Sequence, residues 1–356
     1  MKVLQVNTEK TWRGGERQTL LTMKGLLNQG IVPRLLCLKD RPLAQQAALE
    51  SMPLSLVANH AQAFKYILSK GSSFDLIHAQ TSRAQSLAVI ARFFHQRPVL
   101  YTRRVDFRPR GLAAKLKYCL SDQLAAISPA IRDIILTLVP GRDIAVIPSC
   151  IDTSREILAP SAKALHLQKK FPRYRIIGTI AAMVPHKDPL TMVRTVHSLQ
   201  SIYQGRFIFL HFGRGELEKK VRAEVKRLGI EDKYLLMGFE NDVESYYPVL
   251  DLFVMSSQEE GLGSSVLEAF RYKVPVVSTN AGGLERLVMQ RGLLCPVKDH
   301  RCLAAKIHEL LQSPEKYTHM VQSAHEYVLR HHSLESMTTS YVRLYARMLE
   351  QRGSKA

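Results

Sequence analysis

Nothing in this sequence is apolar for long enough to cross a bilayer. A spanning helix needs ~20 consecutive apolar residues, and no run approaches that length. The opening residues, MKVLQVNTEKTW, turn polar too soon for a signal peptide and read as a first strand. Cysteine is sparse: Cys37, Cys119, Cys150, Cys295 and Cys302 are odd in number and scattered. They suggest a reducing cytoplasm and offer no C-x-x-C metal pattern. Nucleotide fingerprints are missing as well. The glycines after the first strand candidate are Gly14-Gly15-Glu16, and those after a later one are Gly213-Arg214-Gly215. Neither is G-x-G-x-x-G, and no Gly-Lys-Ser/Thr loop occurs, which counts against a dehydrogenase or an NTPase.

Acidic residues are also in short supply. Asp and Glu number 31 against 50 Lys and Arg, giving a formal net charge of +19. Nucleic acid, an anionic membrane surface or a phosphorylated substrate would each account for such an excess. Zinc fingers, RRM-type aromatic motifs and basic heptads are all lacking, so no nucleic-acid partner is expected. Basic residues gather between Arg92 and Lys117, including Arg103, Arg104, Arg108, Arg110 and Lys115. Within this stretch Gly111–Leu120, GLAAKLKYCL, has the short, basic and apolar character of an interfacial helix, or equally of an ordinary helix with a solvated face.

What is present is regular. At 356 residues and 46% hydrophobic, the chain is globular and long enough for two domains. In the first half, strand candidates at Lys2–Asn7, Arg34–Leu38, Asp75–His78, Val99–Thr102, Gln123–Ile127 and Ile144–Pro148 alternate with helical patterns such as Glu16–Gln29, Ala84–Phe94 and Pro129–Val139. The second half repeats the plan, with strands at Arg175–Ile180, Phe207–Phe212, Tyr234–Met237, Leu252–Met255, Val274–Ser278 and Leu293–Cys295. Such alternation implies parallel sheets covered on both faces, which bind ligands at the C-terminal ends of their strands. The polar, proline-bounded segment 153–173 reads as a link. Leu334, Met337, Tyr341, Leu344 and Tyr345 recur at helical spacing and form a packing face.

One stretch concentrates the chemistry. Asp251–Ala269, DLFVMSSQEEGLGSSVLEA, runs from a buried strand through two acids and a Gly-Leu-Gly turn into a helix. Unpaired N–H groups and the helix dipole make such a turn an anion site. Glu260 in the loop and Glu268 in the helix would hold two hydroxyl-bearing parts of one ligand with its phosphates between them. The alternative is a capped helix with solvated acids.

Joined to its surroundings, this stretch resembles the retaining glycosyltransferases of the GT-B fold, family 4 type, over nearly the whole chain. Glu260-Gly-Leu-Gly-Ser-Ser-Val-Leu-Glu268 is similar to the E-x7-E signature of that family, followed by Val274-Pro-Val-Val277 and Ala281-Gly282-Gly283. Gly178–Asp188 resembles its donor-phosphate strand and loop, Gly213-Arg-Gly-Glu its glycine turn, and Tyr234–Phe239 the strand whose loop faces the nucleotide base. Gly14-Gly15, Asp75–His78 and Ile147–Asp152 match first-half elements.

The resemblance implies an α/β fold of two Rossmann-like domains facing across a cleft. An acceptor-side domain would span 1–160 and a donor-binding domain 161–332, with a C-terminal helix over 333–356 crossing back to the first. It implies a metal-independent, retaining transfer from a nucleotide-diphosphate sugar to a hydroxyl of an envelope glycan or glycolipid, with lipopolysaccharide favoured. No cofactor beyond that substrate is implied. Lys187 would stabilise the departing diphosphate, Glu260 would lie near the transferred sugar, and Glu268 would hold the ribose hydroxyls. Gly261, Leu262 and Gly263 would lie against the sugar, and the amides near Ser265 and Val266 against the diphosphate. Gly15, Arg214 and Gly238 complete the implied donor set, and His78 is implied as catalytic. A peripheral, cytoplasmic-face location on an anionic membrane fits the charge. The alternative is a non-catalytic sugar-nucleotide or glycan-binding protein on the same fold.

Three departures mark this chain. Ala182 stands where many relatives have a second diphosphate cation, and Arg214, or one of Arg103 and Arg104, is a candidate to replace it. Gln80 replaces the second histidine of a His-x-His, and Thr102-Arg103-Arg104 occupies the place of a Thr-x-His. Gln80, Arg103 and Arg104 are therefore the expected acceptor-side residues, suited to an acidic or phosphorylated acceptor.

Overall fold

The computed structural model describes residues 1–105, 107–109, 111–152 and 157–353. Residues 153–156 of the expected link, and Arg110 of the basic cluster, lie outside the described residues. The chain forms two compact units, one of Met1–Asp152 with His331–Ala356 and one of Thr153–Arg330.

The first unit follows the order β1 (Lys2–Val6), α1 (Gly14–Asn28), β2 (Val32–Leu38), α2 (Pro42–Leu49), β3 (Leu54–Val57), α3 (His60–Lys70), β4 (Leu76–Ala79), α4 (Ser82–His95), β5 (Val99–Arg103), α5 (Leu112–Leu120), β6 (Gln123–Ala126), α6 (Pro129–Leu136) and β7 (Ile144–Val146). Its parallel sheet has the order β3-β2-β1-β4-β5-β6-β7. Residues 2–6, 76–79 and 99–103 are almost wholly buried, as strands covered on both faces must be. Sequence periodicity does not reveal α2, β3 and α3. β3 is short and half-exposed at the sheet edge, so its apolar signal is weak.

The second unit follows the order α7 (Ala162–Lys170), β8 (Arg175–Ile180), α8 (Pro189–Ile202), β9 (Phe207–Phe212), α9 (Glu218–Arg227), β10 (Tyr234–Gly238), β11 (Leu252–Met255), α10 (Ser264–Arg271), β12 (Val276–Thr279), α11 (Gly283–Val288), β13 (Leu293–Cys295), α12 (His300–Gln312) and α13 (Thr318–His331). Its parallel sheet runs β10-β9-β8-β11-β12-β13. The segment read as a link is in part the helix α7, capped by the Ser161 side chain and packed through Ala164 and Leu167. Two buried positions three residues apart in a basic, polar run are too few to stand out as an apolar stripe.

The last helix, α14 (Leu334–Gly353), returns to the first unit. Leu334, Met337, Tyr341, Leu344 and Tyr345 pack with Val3, Leu26, Leu76 and Leu100 in one core, so the predicted packing face covers one side of the first sheet. α1 lies so close to α14 that a Cβ on Gly25 would come within 1.9 Å of Thr338 Oγ1. Cys295 at the end of β13 and Cys302 in the first turn of α12 form a disulfide, with Cα atoms 5.7 Å apart. The fold stacks the first turn of α12 on the strand end, which a seven-residue sequence separation does not announce. Cys37 and Cys150 are buried free thiols, and Cys119 is exposed.

Candidate functional site

In the second sheet the strand order reverses between β8 and β11, and a crevice opens outside the C-terminal ends of strands at such a point. Lys187 and Glu260 come from the two strands that flank it. β8 leads through 181–184 into a single turn, Pro185–Lys187, and then Asp188 in the left-handed region at φ 47°. Asp188 caps α8: it accepts from the Thr191 amide at 3.2 Å and the Thr191 hydroxyl at 2.7 Å. Its other link is across the crevice, where Gln258 Nε2 donates to Asp188 Oδ2 at 2.9 Å.

The loop after β11 is tied to the same turn. Ser256 Oγ donates to the carbonyls of Lys187 at 3.1 Å and Asp188 at 3.0 Å. The amides of Gln258 and Glu259 donate to His186 O at 2.8 and 3.3 Å. These bonds fix the two turns against each other and bring Lys187 Nζ into an ion pair with Glu260 Oε2, with side chains only 19% and 14% exposed. The loop after β12 closes the arrangement. The Gly283 amide donates to Glu260 O at 2.7 Å, and Cβ atoms on Gly282 or Gly283 would come within 2.5 Å of Glu260 O or 2.2 Å of Gly261 O. The Gly-Gly pair is thus required by the approach of one backbone to another.

α10 starts directly after this loop. Glu268 and Val266 are buried in it, and Leu262 and Gly263 are buried ahead of it. The Val266 amide, expected to face a ligand, donates to Gly263 O at 3.0 Å, which leaves the helix start to Ser264 and Ser265. Tyr247 donates its hydroxyl to Ser265 O at 2.8 Å, and Arg271 pairs with Glu244 at 2.8 Å, so the helix is held at both ends.

Arg214 and Gly238 meet at the ends of β9 and β10. The Gly213 amide donates to Gly238 O at 2.7 Å, and Arg214 Nε lies 3.6 Å from where a Gly238 Cβ would stand. Phe239, beside them, is 61% exposed. Beneath, buried His211 has Nε2 against Ala181 O at 3.2 Å and Nδ1 against Tyr234 Oη at 2.6 Å. A carbonyl only accepts, so Nε2 carries the proton and Nδ1 accepts from the tyrosine. Burial pushes the imidazole down to about 4 and keeps it neutral.

In the first unit, Gly15 lies in the first turn of α1 with open space around it. His78, implied as catalytic, is fully buried: Nδ1 meets Tyr345 Oη at 2.7 Å and Nε2 meets Thr102 Oγ1 at 2.8 Å. Burial, aided by Arg104, holds it far below its ordinary value. Both ring nitrogens are thus bonded within the unit, one to α14 and one to β5. Arg103 is buried as well. Alternation along β5 turns Thr102 toward α14 and Arg103 toward α5, where it is 2% exposed. Its Nη1 donates to Tyr118 Oη at 2.6 Å and its Nη2 to Phe107 O. Gln80 is buried and Arg104 half-buried, and the two are joined.

Asp188, Ser256, Gln258 and His211 escape the sequence reading as site supports. Only Asp188 carries a signal, since Asp followed by Pro189 is an N-cap and N1 pattern.

The profile described as glycosyl transferases group 1 matches residues 164–327, and that of glycosyltransferase family 4 matches residues 12–155. The chain belongs to the group 1 glycosyltransferases and has the GT-B fold of two Rossmann-like domains. Among curated relatives it is 26% identical over 228 residues to the lipopolysaccharide core biosynthesis glycosyltransferase LpsE of Rhizobium meliloti, covering 64% of each chain. It is 32% identical over 90 residues to the lipopolysaccharide core mannosyltransferase LpsB of the same organism, covering 24% of this chain and 26% of LpsB. The matches thus span less than two thirds of these relatives' length. Anabaena HepE, solved in complex with UDP and glucose, superposes with a TM-score of 0.86 at 19% identity, over 98% of this chain and 100% of that one. A glycosyltransferase from Rickettsia africae gives a TM-score of 0.86 at 19% identity over 98% of each chain.

Proposed function

We propose that this protein transfers a sugar from a nucleotide-diphosphate sugar to a hydroxyl of an envelope glycan or glycolipid, with retained anomeric configuration. The observation that carries the reading is the meeting of Lys187 and Glu260 across the switch point of the second sheet. In this reading the diphosphate lies at the start of α10 and takes Lys187 from Glu260, and Glu260 turns to the sugar. Glu268 holds the ribose, and Gly238 and Arg214 border the base. The bond between the anomeric carbon and the diphosphate oxygen breaks. The acceptor hydroxyl attacks the same face and gives its proton to a departing phosphate oxygen. Lys187 and the helix N-terminus stabilise that charge in a preorganised way, without a metal ion. UDP in the Anabaena structure and the lipopolysaccharide functions of LpsE and LpsB support the choice of donor and acceptor class.

No helix among the described residues is long and apolar enough to cross a membrane. A peripheral, cytoplasmic-face location on an anionic membrane is supported by α5, in which only Tyr118 is buried while Leu112 and Leu116 are 86% and 59% exposed beside Lys115. The test of the reading is an assay of radiolabelled sugar nucleotides with extracted membranes. Transfer into a lipid-linked product, lost in Lys187→Ala, is the expected result. Stabilisation by a sugar nucleotide with no transfer or hydrolysis would leave a binding protein instead.

A further inference from the structure

Arg104 directly follows β5, and Gln80 directly follows β4, the strand paired with it. Both therefore stand at the C-terminal edge of the first sheet, where parallel sheets take ligands. Arg104 Nη1 donates to Gln80 Oε1 at 2.5 Å and Gln80 O at 3.5 Å, and its buried Nε has no hydrogen-bond partner among the described residues. Among the described residues each acceptor of Arg104 is a neutral oxygen, so these hydrogen bonds orient the guanidinium without cancelling its charge.

The ground beneath is neutral too. Gln80 Nε2 donates to Gln5 Oε1 at 2.5 Å, Gln5 Nε2 donates to Tyr345 Oη at 3.1 Å, and His78 spans Tyr345 and Thr102. This chain of amides, hydroxyls and a neutral imidazole, locked by α14, holds Gln80 rigid. Asp152, on the link that leaves the first unit, is engaged by Lys24 at 2.6 Å. Arg103, the other cation of the pair, is turned away into the α5 packing.

We propose that Arg104, oriented by Gln80, binds a phosphate monoester carried by the acceptor and so selects phosphorylated acceptors. A phosphate monoester has close to two charges at pH 7 and three acceptor oxygens, and matches a fixed, uncancelled guanidinium better than a carboxylate does. Only the word acceptor rests on the transferase reading; the anion site stands on the geometry of the first unit.

The probe is the rate at which phenylglyoxal labels Arg104, read by peptide mass spectrometry, with exposed Arg83 on α4 as internal control. Glucose 6-phosphate and vesicles of phosphatidic acid in phosphatidylcholine are the two phosphate sources; glucose and pure phosphatidylcholine vesicles are their controls. The expected result is slowing of Arg104 labelling by about tenfold with one phosphate source, which identifies it as soluble sugar or lipid headgroup. Equal labelling with phosphates and controls would overturn the proposal. Arg104→Lys and Arg104→Gln, compared with wild type for UDP affinity, form the second arm. Unchanged UDP binding is expected, and a large loss would assign Arg104 to the donor and overturn the acceptor role. Failure of wild type to bind UDP would instead count against the transferase reading and leave the phosphate arm to stand or fall by itself.

Discussion

At the scale of single residues, the resting state of Lys187 is the most informative feature. Its ammonium is paired with Glu260, so in the proposed donor site a diphosphate would have to displace a carboxylate before it gains the cation. Glu260→Gln removes that competitor while keeping the shape of the loop. The variant should bind a nucleoside diphosphate lacking the sugar roughly threefold to tenfold more tightly in calorimetry, a modest effect because the pair is partly solvated, while sugar transfer falls. Weaker binding of the diphosphate would show that the two side chains do not compete. Histidine gives a second handle. His211 is held down to about 4 from an ordinary 6.5, so between those values the unfolded chain binds the proton and the folded one does not. Stability from this group is full above pH 6.5 and is lost as pH falls toward 4, by about 3 kcal/mol in all. Buried His78 has the same sign, whereas Glu16, raised by burial, works the other way just above its ordinary 4.5. Denaturation curves should therefore weaken from pH 6.5 to 4.5, with a smaller slope in His211→Gln; an unchanged slope in that variant would refute the assignment.

Residue positions are legible where sequence order carries them and obscure where side-chain direction decides. Lys187, Glu260 and the Gly282-Gly283 pair could be placed because each belongs to a loop that follows a recognisable strand. Arg103 and Arg104 are neighbours in sequence with opposite fates, and only the pleat of β5 and the presence of Tyr118 separate them. The resemblance implies a catalytic His78, whereas what fills the space around it arrives from α14, more than 260 residues later.

At the scale of elements, α14 is the piece on which the first unit depends. It closes one face of the sheet and supplies Tyr341 and Tyr345 to the polar chain under Gln80. Gly25 permits its approach. A methyl group at that position meets Thr338 Oγ1 and Cβ, so Gly25→Ala should destabilise the protein by ~1–3 kcal/mol despite the better helix propensity of alanine. Urea denaturation with an unchanged midpoint would contradict the close packing. The buried strands and long amphipathic helices could be read from periodicity, because burial on two faces or one stripe dictates apolar spacing. The region α2–β3–α3 could not, being short, partly exposed and at an edge.

At the scale of the whole molecule, charge is the distinguishing property. A net charge of +19 with an exposed, lysine-bearing apolar helix predicts binding to anionic vesicles that weakens as salt rises, since screening shortens to ~3 Å at 1 M ionic strength. Leu112→Glu with Leu116→Glu should lower vesicle partition severalfold in a sedimentation assay, and equal partition of both proteins onto neutral and anionic vesicles would contradict it. The Cys295–Cys302 pairing was invisible in the sequence because an odd, scattered cysteine set says nothing of which strand end a helix will cover.

The central claim is that the turn after β8 and the loop after β11 form a nucleotide-sugar donor site. Its most direct test is calorimetric titration of wild type and Lys187→Ala with a panel of uridine, guanosine and adenosine diphosphate sugars. The account predicts saturable binding of one of them to wild type and a loss of about tenfold or more in Lys187→Ala. Equal affinity of the two proteins for every donor, or no binding to either, would contradict it.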